Sequence, residues 1–343
     1  MRKFYDKNSV IKVIERRSNE DIVPLCLHKF WGVGLAEKYG EKLVETANSC
    51  PDDIVLAYYN CPGEAVSTNA NPHYRFGYKD YTGQPTYSIG ESHILLPDWS
   101  ELDEFLNDFP DPDEPGIFDS VIPMIEQAKK ENRYVAGMWW RLFHERLWSI
   151  RGMENLMLDY YDAMDNLKII GKKLLDFYKK IVDRFKDLGV DGIFTSDDLG
   201  HQKGPMMSPA VFKELYLPLY KEFVDHVHSK GMHVILHSCG DNTLLMPYLI
   251  EAGIDVFHPV QKGCMDFAAT AENFGNKITF LVGMDVQHVL PNGSIKDVEK
   301  EIDEIVKIFK RKDGGLLLAV SNGVMPDCPL KNIKAMLDKM QNL

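Results

Sequence analysis

The chain has 343 residues, 45% hydrophobic and 26% charged, with a formal net charge of −12. That is a globular composition with ample core. An excess of 51 acidic over 39 basic residues excludes the electrostatic footprint of a nucleic-acid binder and disfavours a polyanionic substrate. No run approaches about 18 apolar residues, and Met1–Asp6 has no apolar leader. The six cysteines are too sparse for a disulfide framework, so a soluble cytosolic protein with free thiols is expected.

In chain order, residues 22–27 and Ile54–Tyr58 read as the first two strands. Residues 60–133 are too long for an ordinary loop and rich in Pro, Tyr, Asp and Gly, as in Asn71-Pro72-His73-Tyr74 and Phe109-Pro110-Asp111-Pro112. They are expected to form an inserted cap over the mouth of the fold, with a helix over 119–131. Tyr134–Trp139 is the third strand. From there one unit repeats: amphipathic helix, glycine, short apolar strand, polar tip. A helix over 174–188 ends at Gly189, and strand 190–194 leads to Asp197-Asp198. A helix over 209–229 ends at Gly231, and strand 232–236 leads to His237-Ser238-Cys239-Gly240. Strands 254–257, 278–282 and 316–320 follow in the same way. Glycine supplies the left-handed residue that ends each helix. Apolar runs without alternation suit strands buried on both faces. Eight strands with helical crossovers predict an α/β fold, a closed (β/α)8 TIM barrel forming a single domain over 1–343. No Gly-x-Gly-x-x-Gly follows the first strand, so nothing supports the alternative of an open dinucleotide-binding sheet.

In such a barrel, polar residues at the C-terminal strand ends line the site. Those ends carry His28, Tyr59 and Asn60, Trp139 and Trp140, Asp197 and Asp198, His237 and Cys239, His258 and Gln261, Asp285 and Gln287, and Ser321 and Asn322. We expect Asp198, His237, Cys239 and Asp285 to carry chemistry, and His28, Trp139, His258, Gln261, Gln287 and Asn322 to contact substrate. Asp197, Asp241 and Ser321 are equally suited to capping helices. His233 reads as a satisfied core residue, and His226 and His228 as helix surface. His237 and Cys239, one residue apart, form a soft N/S pair suited to zinc. Asp198, Asp285, His258 and Cys328 are open as further ligands. The alternative is that the pair lines an organic-ligand pocket.

Several segments carry a family resemblance: Leu147-Trp148-Ser149-Ile150-Arg151-Gly152-Met153-Glu154-Asn155, Asp197-Asp198-Leu199-Gly200-His201-Gln202, His237-Ser238-Cys239-Gly240, Pro259-Val260-Gln261, Gly283-Met284-Asp285-Val286-Gln287 and Pro329-Leu330-Lys331-Asn332-Ile333. From about residue 130 onward the chain resembles the uroporphyrinogen decarboxylase-like superfamily, most closely its corrinoid-linked methyltransferase branch. The resemblance implies a (β/α)8 barrel. True decarboxylases of the superfamily carry an arginine-rich segment after the first strand that holds a substrate with eight carboxylates. Here that stretch is Leu25-Cys26-Leu27-His28-Lys29-Phe30-Trp31, without arginine. The methyltransferase branch implies zinc on His237 and Cys239 and a partner protein carrying a corrinoid. Asn322 stands where that branch carries a further cysteine. The resemblance thus implies an enzyme moving a methyl group between a corrinoid protein and a small thiol or another acceptor, such as a folate. Two other readings stay open. One is a decarboxylase of a tetrapyrrole or smaller carboxylate; the other is a non-catalytic barrel that binds such a ligand.

Overall fold

The protein is described here from a computed structural model covering residues 3–27, 31–59, 94–113 and 118–343. Seven parallel strands lie in the order Ile54–Tyr58, Tyr134–Trp139, Gly192–Ser196, His233–His237, Val256–His258, Thr279–Gly283 and Leu316–Ala319. Sequence order is spatial order, as right-handed helical crossovers produce.

The eighth stave is residues 23–27, which close the sheet between its last and first strands. On one side Cys26 N donates to Leu318 O, Leu318 N to Pro24 O and Val320 N to Leu27 O, at 2.9, 3.0 and 3.2 Å. On the other, Asp53 N and Ile54 N both donate to Leu25 O. Pro24 has no N–H to give. The N–H groups of Leu25 and Leu27 go instead to the carboxylates of Asp53 and Asp52, both at 2.6 Å. The segment therefore closes the (β/α)8 barrel that the strand count predicts, with carboxylates replacing part of the backbone ladder.

Alternation along each strand divides the interior into two layers. Tyr134, Ala136, Met138, Phe194, Ile235, Val256, Leu281, Leu317 and Ala319 form one buried cluster inside the barrel. Residues of opposite parity join the core beneath the helices. The helix Lys7–Ile14, started by the Asp6 carboxylate accepting from Asn8 N and Ser9 N, adds Val10, Val13 and Ile14 to the inner cluster. It sits at the strand starts, where Thr279 Oγ1 donates to Ile14 O and Gly315 N to Val13 O. Each buried aliphatic side chain contributes roughly 1.5–3 kcal/mol, so this helix seals the barrel floor.

The expected continuous helix over 209–229 is broken into Pro209–Val211, a π turn over Phe212–Tyr216, and Leu217–Ser229. Pro218 supplies the reason: it has no N–H for the carbonyl four residues earlier, and its ring crowds that carbonyl. Tyr216 and Tyr220, around this irregular turn, are fully buried behind the barrel mouth. The helix Ile122–Lys130 packs against the strands Ile54–Tyr58 and Tyr134–Trp139 as their crossover. Of the segment expected to form a cap, residues 60–93 and 114–117 lie outside the described residues. No helix among the described residues is long and apolar enough to cross a membrane.

Candidate active site

The segment after His237 is held on all sides by backbone and amide bonds. His237 O accepts from Asp197 N at 2.8 Å, and Ser238 N donates to His258 O at 2.9 Å. Cys239 N donates to Asp198 Oδ1 and Gly240 N to Gln261 Oε1, both at 2.8 Å. The buried Asn242 amide donates to the carbonyls of Ser238, Cys239 and Gly240. Gly240 has φ +80°, and a Cβ there would lie 2.4 Å from the backbone carbonyl carbon of Gly200. Only glycine fits this close crossing.

This arrangement brings Asp198, His237 and Cys239 together, with one donor atom from each lying within 4.8 Å of the others. His237 Nε2 is 3.2 Å from Cys239 Sγ and 3.6 Å from Asp198 Oδ1. Donors at about 2.0–2.3 Å from a tetrahedral zinc stand roughly 3.3–3.8 Å apart, and the two separations from His237 Nε2, 3.2 and 3.6 Å, lie close to that spacing. Three protein donors leave a fourth position open, as catalytic zinc sites do. Among the described residues Asp285 and Cys328 are not in this group. Asn322, where the resemblance placed another cysteine, points its Nδ2 at Cys239 Sγ from 3.1 Å.

Burial holds the His237 imidazole below its ordinary value, with the Asp198 charge opposing. The ring is therefore neutral, the form that ligates metals. Burial, and then the Asp198 charge, push the Cys239 thiol far up. Without a cation at the site, Cys239 keeps its proton at neutral pH.

Neighbouring acids have different jobs. Asp197 is fully buried and accepts from Phe143 N, His144 N, Glu145 N and Tyr220 Oη, at 3.1, 3.0, 2.8 and 2.7 Å. It caps the helix His144–Arg151 from another strand's end, satisfying N–H groups that helix cannot pair internally. Burial raises its carboxyl to about 6 against those four hydrogen bonds. Asp198 instead faces the His237–Cys239 pair.

Glu145 was not among the sequence candidates. It stands on a helix six residues beyond a strand end, away from the strand tips where polarity signals a barrel site. Its Oε2 accepts from Ser196 Oγ at 2.6 Å. Burial, and then the charges of Asp198 and Asp197, push its carboxyl up to about 8. Next to it, His144 is fully buried in a hydrogen-bonded triangle with Tyr160 and Tyr216, and burial lowers its imidazole to about 3.

The other expected residues divide as follows. His258 is buried beside His237, their Nδ1 atoms 2.7 Å apart. The Asp285 carboxylate accepts from Gln287 N and His288 N and holds its own turn. Gln261 braces Gly240. Trp139 points away from the mouth, stacked on Tyr178 and Phe185 among the outer helices. Trp140, one residue on, meets the His237 ring edge-on at 5.6 Å. Strand parity accounts for this: Trp140 and Met138 share the inner face, and Trp139 faces out. His28 and Asn60 lie outside the described residues. A cavity of about 320 Å³ is lined by Gln261, Asp285, Gln287, Ser321, Asn322 and Met325, among others. Asn322 joins it to Cys239. A second groove, about 560 Å³, runs between the helices Phe267–Phe274 and Ile295–Phe309, and none of the three donors lines it.

Residues 147–343 match the family model described as uroporphyrinogen decarboxylase (URO-D). Over 130 residues the chain is 26% identical to a methylated-thiol–coenzyme M methyltransferase of Methanosarcina mazei, which covers 38% of this chain. The match spans only about a third (32%) of that relative's length. A solved structure of a methyltransferase from Methanosarcina mazei superposes with a TM-score of 0.65 at 14% identity, covering 99% of each chain. That likeness concerns the fold.

Proposed function

Because the chain belongs to the uroporphyrinogen decarboxylase family, we propose that it works as that family's methyltransferase branch does, moving a methyl group between a corrinoid carried by a partner protein and a small thiol. The observation that carries this reading is the convergence of Asp198, His237 and Cys239 at the barrel mouth. The methyltransferase named among its relatives supports the reaction class. The stretch after the first strand, Leu25-Cys26-Leu27-His28-Lys29-Phe30-Trp31 without arginine, and the Asp198 carboxylate at the mouth argue against a substrate bearing many carboxylates, whose anions would lack partners.

His237 Nε2, Cys239 Sγ and Asp198 Oδ1 would hold the metal. When bound, zinc supplies Lewis acidity that lowers the pKa of a thiol in the open position to the thiolate range. Asn322 Nδ2, donating to Cys239 Sγ, orients that sulfur and moderates its electron density. The neighbouring cavity, near the lower end of small-ligand volumes, offers Gln287, Ser321 and Asn322 to the acceptor. In the transfer, the acceptor sulfur's electron pair forms the new S–C bond, and the donor keeps the pair of the bond that breaks. The thiol proton leaves first. The ionised form of Glu145, a minority below about 8, is a mouth carboxylate able to accept it.

The test is methyl transfer from methylcobalamin to a panel of small thiols by protein with measured zinc content. We expect stoichiometric zinc and turnover, both lost in His237→Ala and Cys239→Ala. Metal-free protein that decarboxylates uroporphyrinogen would overturn the assignment.

A further inference from the structure

His237 and His258 are direct register partners on adjacent parallel strands, so both side chains leave the sheet on the same face. Both rings are buried, with centroids 4.8 Å apart. Trp140 packs edge-on against His237, and Phe194 packs against His258. The Nδ1–Nδ1 separation is 2.7 Å. At that distance exactly one of the two atoms carries a proton, because two N–H groups would clash and two lone pairs would repel.

Two neutral arrangements satisfy this. If His258 Nδ1 holds the proton, His237 must carry its own on Nε2, which then points N–H at Cys239 Sγ. That sulfur already receives the Asn322 amide, and a protonated Nε2 has no lone pair for a metal. If His237 Nδ1 holds the proton, His258 accepts it and His237 Nε2 is bare, 3.2 Å from Cys239 Sγ and 3.6 Å from Asp198. The sulfur then donates to Nε2 and accepts from Asn322, and His258 carries its own proton on Nε2. We infer that His258 is a positioning residue: its Nδ1 accepts the Nδ1–H of His237 and keeps the Nε2 lone pair of His237 directed at the Asp198–Cys239 group.

The inference rests on the metal reading above and adds what orients the imidazole. Metal-ligating histidines generally donate their second ring N–H to a fixed acceptor, most often a carboxylate or a carbonyl. Here a second imidazole takes that place, imposed by strand register rather than by a mobile side chain.

The experiment reads ring protons and metal affinity separately, in wild type, His258→Leu and His258→Asn. Nitrogen NMR of histidine-labelled, metal-free protein should report His237 as the Nδ1–H form. His258→Leu should shift that proton to Nε2 and weaken zinc binding by roughly 10–100-fold in a chelator competition. His258→Asn, whose Oδ1 falls near the lost Nδ1, should keep the Nδ1–H form and bind zinc within a few-fold of wild type. An Nε2–H form of His237 in wild type overturns the inference without recourse to any variant. So does unchanged zinc affinity in His258→Leu. If wild type binds no zinc while His237 is Nδ1–H, the metal reading fails and the positioning inference stands.

Discussion

At the N-terminal end of the barrel, the helix Lys7–Ile14 lays Val10, Val13 and Ile14 against the starts of the strands, and the interior above it is apolar. At the other end the same strands finish in Ser196, His237 and His258, all buried and all polar, with Asp197 and Asp198 just beyond. One end spends its burial on packing. The other carries buried polar side chains held by specific partners, Asp197 by four donors and His237 by His258 and Cys239, and that constraint gives the mouth its chemistry.

The sharpest test of this contrast lies within the mouth, at two adjacent aspartates. Asp197→Ala removes the acceptor of three backbone N–H groups, of Phe143 and the first two helix residues, and of the Tyr220 hydroxyl. It should cost about 3–5 kcal/mol in urea unfolding. Asp198→Ala removes one acceptor, that of Cys239 N, and should cost about 1–2 kcal/mol while weakening zinc at least tenfold. Equal destabilisation by the two would erase the distinction between scaffold and site. At the floor, Ile14→Ala should cost about 3 kcal/mol through the cavity it leaves, with zinc affinity unchanged. A floor mutation that altered metal binding would show the two ends to be coupled.

A smaller effect comes from pH. The Glu145 carboxyl is raised from an ordinary 4.5 to about 8, so between those values the folded protein holds a proton that the unfolded chain has released. Stability should therefore fall as pH rises through that window, on the order of 1–3 kcal/mol. Glu145→Gln should flatten the upper part of the profile, leaving the Asp197 contribution below about 6. An unchanged slope in that variant would place the titration elsewhere.

Most of the barrel was legible because it repeats. Gly189, Gly231 and the apolar runs after them mark helix ends and strands by local rules, and the strands Ile54–Tyr58 and Tyr134–Trp139 fall where the pattern put them. The barrel-closing segment 23–27 was legible as a strand, but not its unusual pairing, which depends on carboxylates 25 to 28 residues away. The π turn before Pro218 was not legible, because helical periodicity runs on both sides of it.

In the site, His237, Cys239 and Asp198 were legible because they follow strands directly. Trp139 was taken for a mouth residue because a strand buried on both faces shows no alternation in hydrophobicity; counting parity from the strand interior assigns Trp140 instead. Asp285 sits at the mouth, but its carboxylate is occupied by backbone N–H groups of its own turn, which no spacing reveals. Glu145 and the His144–Tyr160–Tyr216 triangle depend on contacts between distant helices, which no local motif announces.

Asp198, His237 and Cys239 together should hold one metal ion. Cobalt(II) titrated into metal-free protein tests it most directly, because a thiolate ligand gives the bound ion a sulfur-to-metal charge-transfer absorption. We predict saturation at one cobalt per chain with that band present, the band lost in Cys239→Ser, and binding weakened in His237→Ala and Asp198→Ala. Binding without the charge-transfer band, or a band that survives in Cys239→Ser, would contradict the account.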